Sequence, residues 1–223
     1  RDQDFERSTG EKGEEVLSPR GRPHWRWRFS PSQAGSYGVR FRAILNSGQE
    51  QAESGTYRFT AVQSNRKGPV RVQGRNGFGF ADGSRFYPIG INLRSPSDNR
   101  KPYQPLGYEL PEGQGTFIYD DYYRKLAAAG ANWVRIWQCP WWCGLEWTRK
   151  WPGYQGLGRY NLENAWRFDY LLDQAAERGL YVQACLTNHG QIVIAKNIDR
   201  QWDDNPLNAD LGEGGPLSDA ADF

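Results

Sequence analysis

Three polar residues stand at the ends of apolar runs, where side chains can act on another molecule. Arg135 lies near the end of the run Asn132–Trp137, and a guanidinium there can hydrogen-bond a carboxylate and keep it ionised. Asn188 and His189 follow the run Leu180–Leu186, where they can donate to hydroxyls or to a carboxylate. The alternatives stay open: an arginine paired with an ordinary aspartate, and a histidine that caps a loop.

Tryptophans are crowded into the loop that follows Asn132–Trp137. Half of the ten tryptophans lie in this part of the chain: Trp137, Trp141, Trp142, Trp147 and Trp151. Aromatic rings stack on the apolar faces of sugar rings, although burial in a core is the commoner use of tryptophan. A loop that contains Pro and Gly has little room to bury all five. We expect Trp137 and Trp142, with Trp141 beside them, to line a sugar subsite.

The remaining candidate groups give weaker signals. Glu146, Asp203 and Asp204 could bind hydroxyls, but solvated loop charges are the commoner outcome. Cys139 and Cys143 are three residues apart, and no second Cys/His pair completes a zinc site. A local disulfide and two free thiols both remain open. No phosphate loop or dinucleotide fingerprint occurs, so the sequence implies no cofactor and no metal.

The first third of the chain is predicted to be antiparallel β-structure. Residues 1–23 are charged and Gly-rich without periodicity, and we expect a poorly ordered lead-in. Apolar and polar residues then alternate in three runs joined by short turns, as in a β-sandwich: Trp25–Phe29, Tyr37–Ala43 and Gly55–Val62.

The middle of the chain begins with a predicted hairpin. Asp82-Gly83 lies between two apolar runs, which predicts a tight turn in a hairpin from Phe78 to Tyr87. The segment Pro88–Leu93 then reads as a short buried strand.

Helices and strands alternate from there onward. Amphipathic helices are predicted over Tyr119–Ala129 and Leu162–Arg178, each followed by a glycine, with apolar strands after them. This order indicates βαβ units in a parallel sheet, with a spacing near that of a (β/α)8 barrel. Ser218 is placed to begin one more helix, so we expect the sequence to be a fragment of a longer protein.

Composition excludes several classes of protein. Among the 223 residues, no apolar run is long enough to span a membrane. The 28 basic residues nearly balance the 26 acidic ones, which does not favour a nucleic-acid-binding protein. Arginines interleave with aromatics in the early strands, as on a single-strand platform, but outward-facing arginines on strands explain them better: Arg26, Arg28, Arg40 and Arg42.

Several motifs together resemble a known family of enzymes. They are Trp25-x-Trp27-x-Phe29-x-Pro31, Gly35-x-Tyr37, Ser64-x-x-Lys67-Gly68-Pro69-Val70-x-Val72, Phe80-x-Asp82-Gly83-x-x-Phe86-x-Pro88-Ile89-Gly90, Gly90-x-Asn92, Gly130-Ala131-Asn132-Trp133-Val134-Arg135-Ile136-Trp137 and Asn188-His189-Gly190. In order and spacing they resemble a small β-sandwich module followed by the opening of a cellulase-like barrel, of the retaining glycosidase clan that includes glycoside hydrolase family 5. The resemblance covers residues 25–223.

The resemblance implies a fold and an activity. It implies a multidomain β and α/β protein: an N-terminal Ig-like β-sandwich over residues 1–66, a linker and hairpin over 67–87, and over 88–223 the first three strand–helix units of a (β/α)8 barrel. It implies hydrolysis of a β-linked poly- or oligosaccharide with retention of configuration. In that clan two glutamates after the fourth and seventh strands do the chemistry, and no Glu here matches either position.

Residue roles follow from the same resemblance. Arg135 would support the nucleophilic glutamate, and His189 with Asn188 would contact sugar or the carboxylates. Asn92, at the end of the first barrel strand, would contact substrate.

Two rival interpretations stay open. One rival is a non-catalytic carbohydrate-binding protein with a degenerate barrel, and the other is an adhesion-type structural protein. The resemblance also suggests a secreted, periplasmic or cell-surface bacterial protein.

Overall fold

The computed structural model describes residues 2–44, 48, 50–93, 95–96, 113–139, 142–146, 153–187, 189–193, 201–212 and 215–218. Strands and helices follow one another in this order: β1 Asp2–Thr9, β2 Glu15–His24, β3 Gly35–Val39, β4 Arg42–Ile44, β5 Glu50–Glu53, β6 Tyr57–Ala61, β7 Arg71–Gln73, β8 Gly77–Gly79, β9 Arg85–Phe86, β10 Gly90–Asn92, α1 Thr116–Ala128, β11 Trp133–Trp137, α2 Leu162–Glu177 and β12 Tyr181–Cys185. Three short 3₁₀ helices follow: His189–Ile192, Trp202–Asp204 and Ala209–Leu211. The helix expected from Ser218 onward lies outside the described residues.

The expectation of a poorly ordered lead-in is wrong. Strands β1 and β2 form an antiparallel hairpin that runs from Asp2 opposite His24 to Thr9 opposite Glu15. The turn between them is closed by the amide of Gly10, which donates to the carbonyl of Glu14 at 2.9 Å. This hairpin lies on α2, where the ring of Phe5 meets the edge of Trp166 at 6.4 Å between centroids.

Besides Phe5, charged side chains hold this hairpin on the helices. The carboxylate of Glu15 accepts from the amide of Thr116 at 2.8 Å and from Nε of Arg167 at 2.6 Å. Arg7 donates to Asp120 at 2.9 Å and lies over the ring of Tyr170 at 4.4 Å. A search for apolar periodicity therefore cannot find the hairpin.

The next part is antiparallel, as predicted, but its strands differ from the predicted ones. Residues 25–30 have no strand partner, so the prediction of a strand over Trp25–Phe29 is wrong. The second predicted strand is divided into β3 and β4, and the third is confirmed as β6. Among the described residues, β3 pairs with β6 and β4 with β5 as two separate ladders.

An aromatic cluster occupies one face of the β3–β6 ladder. Tyr37 and Phe59 are register partners whose rings stack at 5.4 Å. Trp27 and Phe29 stack on each other at 5.0 Å, and both meet Phe59 edge-on. Despite these contacts, Trp27 and Phe29 remain about half exposed.

The predicted hairpin around Asp82-Gly83 is confirmed by strands β8 and β9. Strand β7 pairs with β8, so the three strands make one antiparallel sheet. Phe80 and Phe86 are buried, and their rings meet Tyr181 at 5.3 and 5.0 Å. Because Tyr181 is the first residue of β12, the β7–β9 sheet covers the amino-terminal end of the parallel sheet.

The parallel sheet and both predicted helices are confirmed. Strand β11 lies between β10 and β12, and all three run parallel. Val134 and Ile136 are fully buried, in a core that also includes Tyr119 and Tyr123 of α1 and Leu171 of α2. Strand β10, which we predicted to be buried, is exposed along its length. The described residues form three parallel strands and do not close a barrel.

Candidate active site

Polar side chains form a row across the face of the parallel sheet opposite the core. Asn92, Arg135 and Gln183 are register partners in β10, β11 and β12, so their side chains point to the same face. Trp137 and Cys185 pair two residues further on and share that face. In βα folds the carboxyl ends of parallel strands carry the functional side chains. Asn92, Trp137 and Cys185 are the last residues of their strands, and Arg135 and Gln183 lie two residues before the end.

Arg135 is the central group of the row. It is half-buried, its Nε donates to the thiol of Cys185 at 2.8 Å, and its guanidinium carbon lies 5.7 Å from the ring centre of Trp137. Among the described residues no carboxylate forms an ion pair with it. A half-buried guanidinium with only a weak sulfur acceptor retains several unsatisfied donors, so the sheet face presents a site for an anion.

Trp137 and Trp142 have different surroundings. Trp137 is half-buried and lies beside Arg135. Trp142 is only 6% exposed and stacks on Tyr119 at 5.1 Å, inside the core. A ring covered in this way has no free face for a sugar, so the expectation that Trp142 stacks on substrate is wrong. Trp141 lies outside the described residues.

The loop after β12 begins where the sequence predicted functional residues. His189 starts the turn His189–Ile192 directly beyond the end of the strand, but its side chain, like Asn188, lies outside what the structure describes. The amide of Gln201 donates to the carbonyl of Gly190 at 2.9 Å. This bond ties the turn to the following loop.

In the part of the chain that the structure describes, the loop carboxylates form no ion pair with Arg135. Glu146 accepts from the amide of Gly158 at 2.8 Å and so orders the β11–α2 connection. Asp203 and Asp204 lie in the 3₁₀ helix Trp202–Asp204, beyond the end of β12. The expectation that these charges belong to loops agrees with these positions.

A shallow cavity of about 520 Å³ lies in the β11–α2 connection. Its lining combines a phenol ring, a carboxamide and a guanidinium: Tyr154, Gln155, Gly156, Leu157 and Arg159.

The cysteines are free thiols. Cys139 and Cys143 are buried and Cys185 is partly exposed. Burial raises the pKa of the Cys143 thiol, so it stays protonated and donates to the carbonyl of Trp137 at 3.2 Å. Within the described part of the chain, no three His, Cys, Asp or Glu side chains are grouped to hold a metal ion.

Sequence analysis missed Gln183 and Cys185 as members of the site. Both lie inside an apolar strand and show no motif. The signal that could have found them is register: once β11 and β12 are parallel neighbours, the partners of Arg135 and Trp137 follow by counting.

Comparison with protein-family models and with curated proteins gives no match. Among solved structures, a protein from Bacteroides vulgatus ATCC 8482, provisionally described as a glycoside hydrolase, aligns with 19% identity and a TM-score of 0.48. The alignment covers 81% of this chain and 35% of that protein, so this chain spans about a third of its length. No helix among the described residues is long and apolar enough to cross a membrane.

Proposed function

We propose that this chain forms part of a glycoside hydrolase, and that the row Asn92–Arg135–Gln183 with Trp137 is one wall of its substrate cleft. One observation carries the proposal. A half-buried guanidinium lies on the open face of a parallel sheet, beside an aromatic ring and with no carboxylate partner among the described residues. Together these groups match what a sugar site needs, which is a ring to stack on, amides for hydroxyls and a charge for a catalytic carboxylate.

Arg135 is proposed to hold the nucleophilic carboxylate. A guanidinium donating to a carboxylate lowers the pKa of that acid, so the group stays ionised and ready to attack the anomeric carbon. In a retaining reaction the carboxylate forms a glycosyl-enzyme bond while a second carboxyl group protonates the leaving oxygen. The same second group then takes a proton from the water that releases the sugar.

The two carboxylates are proposed to come from residues outside this sequence, since no Glu here matches their expected positions. A β-linked poly- or oligosaccharide is the proposed substrate, and a secreted, periplasmic or cell-surface location goes with it. Asn188 and His189 are proposed to contact sugar hydroxyls at the end of β12.

The test uses a longer chain that supplies the two proposed carboxylates, and compares Arg135→Ala and Arg135→Lys in hydrolysis of aryl β-glycosides and β-linked oligosaccharides. We expect Arg135→Ala to lower kcat about 10- to 100-fold, because a hydrogen bond to a charged group contributes about 1.5–3 kcal/mol. Lysine keeps the charge but loses the fork of donors, so Arg135→Lys should recover only part of the rate. Arg124→Ala, an exposed cation on α1, is the matched control.

A non-catalytic sugar-binding protein is the second candidate, favoured because no Glu of this sequence matches either expected catalytic position. Calorimetric binding of β-linked oligosaccharides separates the two. In both cases Trp137→Ala weakens binding, while Trp25→Ala, at an exposed site away from the row, leaves it unchanged. Binding without turnover supports the second candidate, and turnover that Arg135→Ala does not change rejects the proposed role.

A further inference from the structure

The outer face of the β7–β9 sheet carries positive charge without compensation. Arg71 and Arg85 are both register partners of Gly79, one on each side of it, so they point to the same face. The carboxamide of Gln73 lies over Gly79 on that face. Two strand spacings separate their backbones by about 10 Å. Both side chains are exposed, and neither forms an ion pair among the described residues.

More cations lie near this pair in the sequence. Arg66 and Arg75 are exposed and likewise make no ion pair in the described part of the chain. Lys67 lies at the edge of the sheet, with Nζ 3.4 Å from Oγ of Ser84. From Val62 to Pro88 the sequence holds five basic residues and one acid, Asp82, whose carboxylate is engaged by Ser84.

This excess of positive charge is local, since the whole chain has a net charge of only +2. Like charges held on one face repel one another, and an anion bound there would remove that cost. The opposite face of the same sheet carries Phe78 and Phe86, and Phe86 packs onto Tyr181. The sheet therefore presents its cationic face away from the body of the protein.

The composition of the face narrows the class of anion. Tyr87 is 66% exposed and its hydroxyl lies 3.5 Å from Nη1 of Arg85, so a ring and a guanidinium stand together. Gln73 adds a carboxamide on the same face as Arg71. Single-stranded nucleic acids are bound by several successive aromatic rings, whereas one ring with amide and guanidinium donors suits a sugar that bears a carboxylate.

We propose that the cationic face of the β7–β9 sheet, with Arg71, Arg85 and Tyr87 at its centre, binds an acidic polysaccharide. The choice of a polysaccharide among polyanions rests on the proposed function. Tyr181, on which this sheet packs, begins β12, and Gln183 and Cys185 lie about 7 and 13 Å further along the strand. The cationic face points away from Tyr181, so it does not belong to the row around Arg135. It is a second binding surface, distinct from the cleft.

Polygalacturonate is the probe, with a neutral β-glucan and an oligothymidylate as comparisons. We expect the chain to bind polygalacturonate at low ionic strength, less tightly as salt is added. Arg71→Ala/Arg85→Ala should weaken this binding about tenfold or more. Arg124→Ala/Lys125→Ala, which removes two exposed cations from α1, should leave it within about twofold.

The proposal is overturned if the chain does not bind polygalacturonate. It is also overturned if the α1 control variant loses as much affinity as Arg71→Ala/Arg85→Ala. Oligothymidylate binding that is tighter and equally sensitive to Arg71 and Arg85 replaces the polysaccharide by nucleic acid and also overturns it. Circular dichroism confirms that the variants fold, and Arg85→Gln provides a milder second variant. If Arg135→Ala leaves turnover unchanged while these results hold, only the proposed function fails.

Discussion

At the scale of single residues, Glu15 shows how a charge is accommodated inside this protein. Its side chain is 1% exposed, and its carboxylate joins the amide and hydroxyl of Thr116 to Arg167 of α2. Helix α1 has no side-chain cap of its own from Gly115. Glu15 therefore satisfies an amide at the start of α1, where a negative charge also suits the helix dipole.

The neighbouring Tyr170 belongs to the same polar contact between hairpin and helices. Its hydroxyl donates to Asp120 at 2.8 Å. Burial, followed by this hydrogen bond, raises the pKa of Tyr170 to about 12. The phenol therefore stays protonated and keeps donating throughout the neutral range.

Replacing Glu15 by Gln should destabilise the protein by about 2–3 kcal/mol. Arg167 would lose its charged partner in a site where it is 19% exposed, and breaking a buried pair costs about 3–5 kcal/mol when nothing else compensates. The amide oxygen can still accept from Thr116, which reduces the loss. Urea denaturation measures the change.

Glu163→Gln is the matched control, because Glu163 also faces Arg167 but at 3.8 Å and with half of its side chain exposed. Its loss should cost less than about 0.5 kcal/mol. If the two variants lost the same free energy of unfolding, burial of Glu15 would not strengthen its contribution to stability.

Sequence reasoning at this scale found the strand-end arginine but not its partners. Arg135 stood out because a charge inside an apolar run is unusual. Trp142 was misplaced because sequence spacing cannot show that α1 brings Tyr119 against its ring. Cys185 and Gln183 carry no distinguishing pattern, and only the register of the sheet reveals them.

At the scale of elements, the short strand β10 is held by backbone proximity and by one side chain. Asn132 accepts from the amide of Ile89 at 2.8 Å and donates to the carbonyl of Tyr87 at 2.9 Å. Gly90 pairs with Trp133 so closely that a Cβ would overlap the Trp133 carbonyl oxygen. These contacts place Asn92 beside Arg135.

Gly90→Ala should therefore destabilise the protein by about 2–4 kcal/mol, because backbone has to move to make room for the methyl group. Thermal unfolding followed by circular dichroism measures the change. Gly55→Ala is the control, since a Cβ there would meet no atom within 4 Å, and it should change stability by less than about 0.5 kcal/mol. A neutral Gly90→Ala would mean that β10 and β11 are not packed this closely.

Elements with apolar periodicity were predictable and the charged hairpin was not. Helix α2 was predicted to within one residue of its observed end, and β11 and β12 within one residue at each end. Their apolar stripes match the helix or strand period. The β1–β2 hairpin is held by Glu15 and Arg7, which look in sequence like solvated charges. Its prediction would have required knowing which helices it packs against.

At the scale of the whole molecule, buried side chains are unevenly distributed. The core lies between the parallel sheet and helices α1 and α2, with Val134 and Ile136 fully buried. The hairpin β1–β2 is joined to these helices by ion pairs. By contrast, β3, β4 and β6 contain no buried residue. The predicted order of a β part and an α/β part was correct, but the sequence could not show this difference in burial.

This difference predicts at least two levels of protection in native-state hydrogen exchange. Amides of β11 and β12 should exchange most slowly, because opening them exposes the core, whereas amides of β3–β6 and β4–β5 should exchange through local opening at lower free energy. The β1–β2 hairpin should be protected at a level near that of α2, since Glu15 and Arg7 fasten it there.

The Glu15→Gln variant tests whether those ion pairs couple the hairpin to the helices. It should lower protection in β1, β2 and the first turn of α1 together, and leave β3–β6 unchanged, because no recorded contact of Glu15 reaches that ladder. Mass spectrometry of peptides from the exchanged protein resolves these segments. Uniform protection across all the strands would instead mean that the molecule opens as one cooperative unit, with the aromatic contacts of Trp27 and Phe59 sufficient to bind the β3–β6 ladder to the rest.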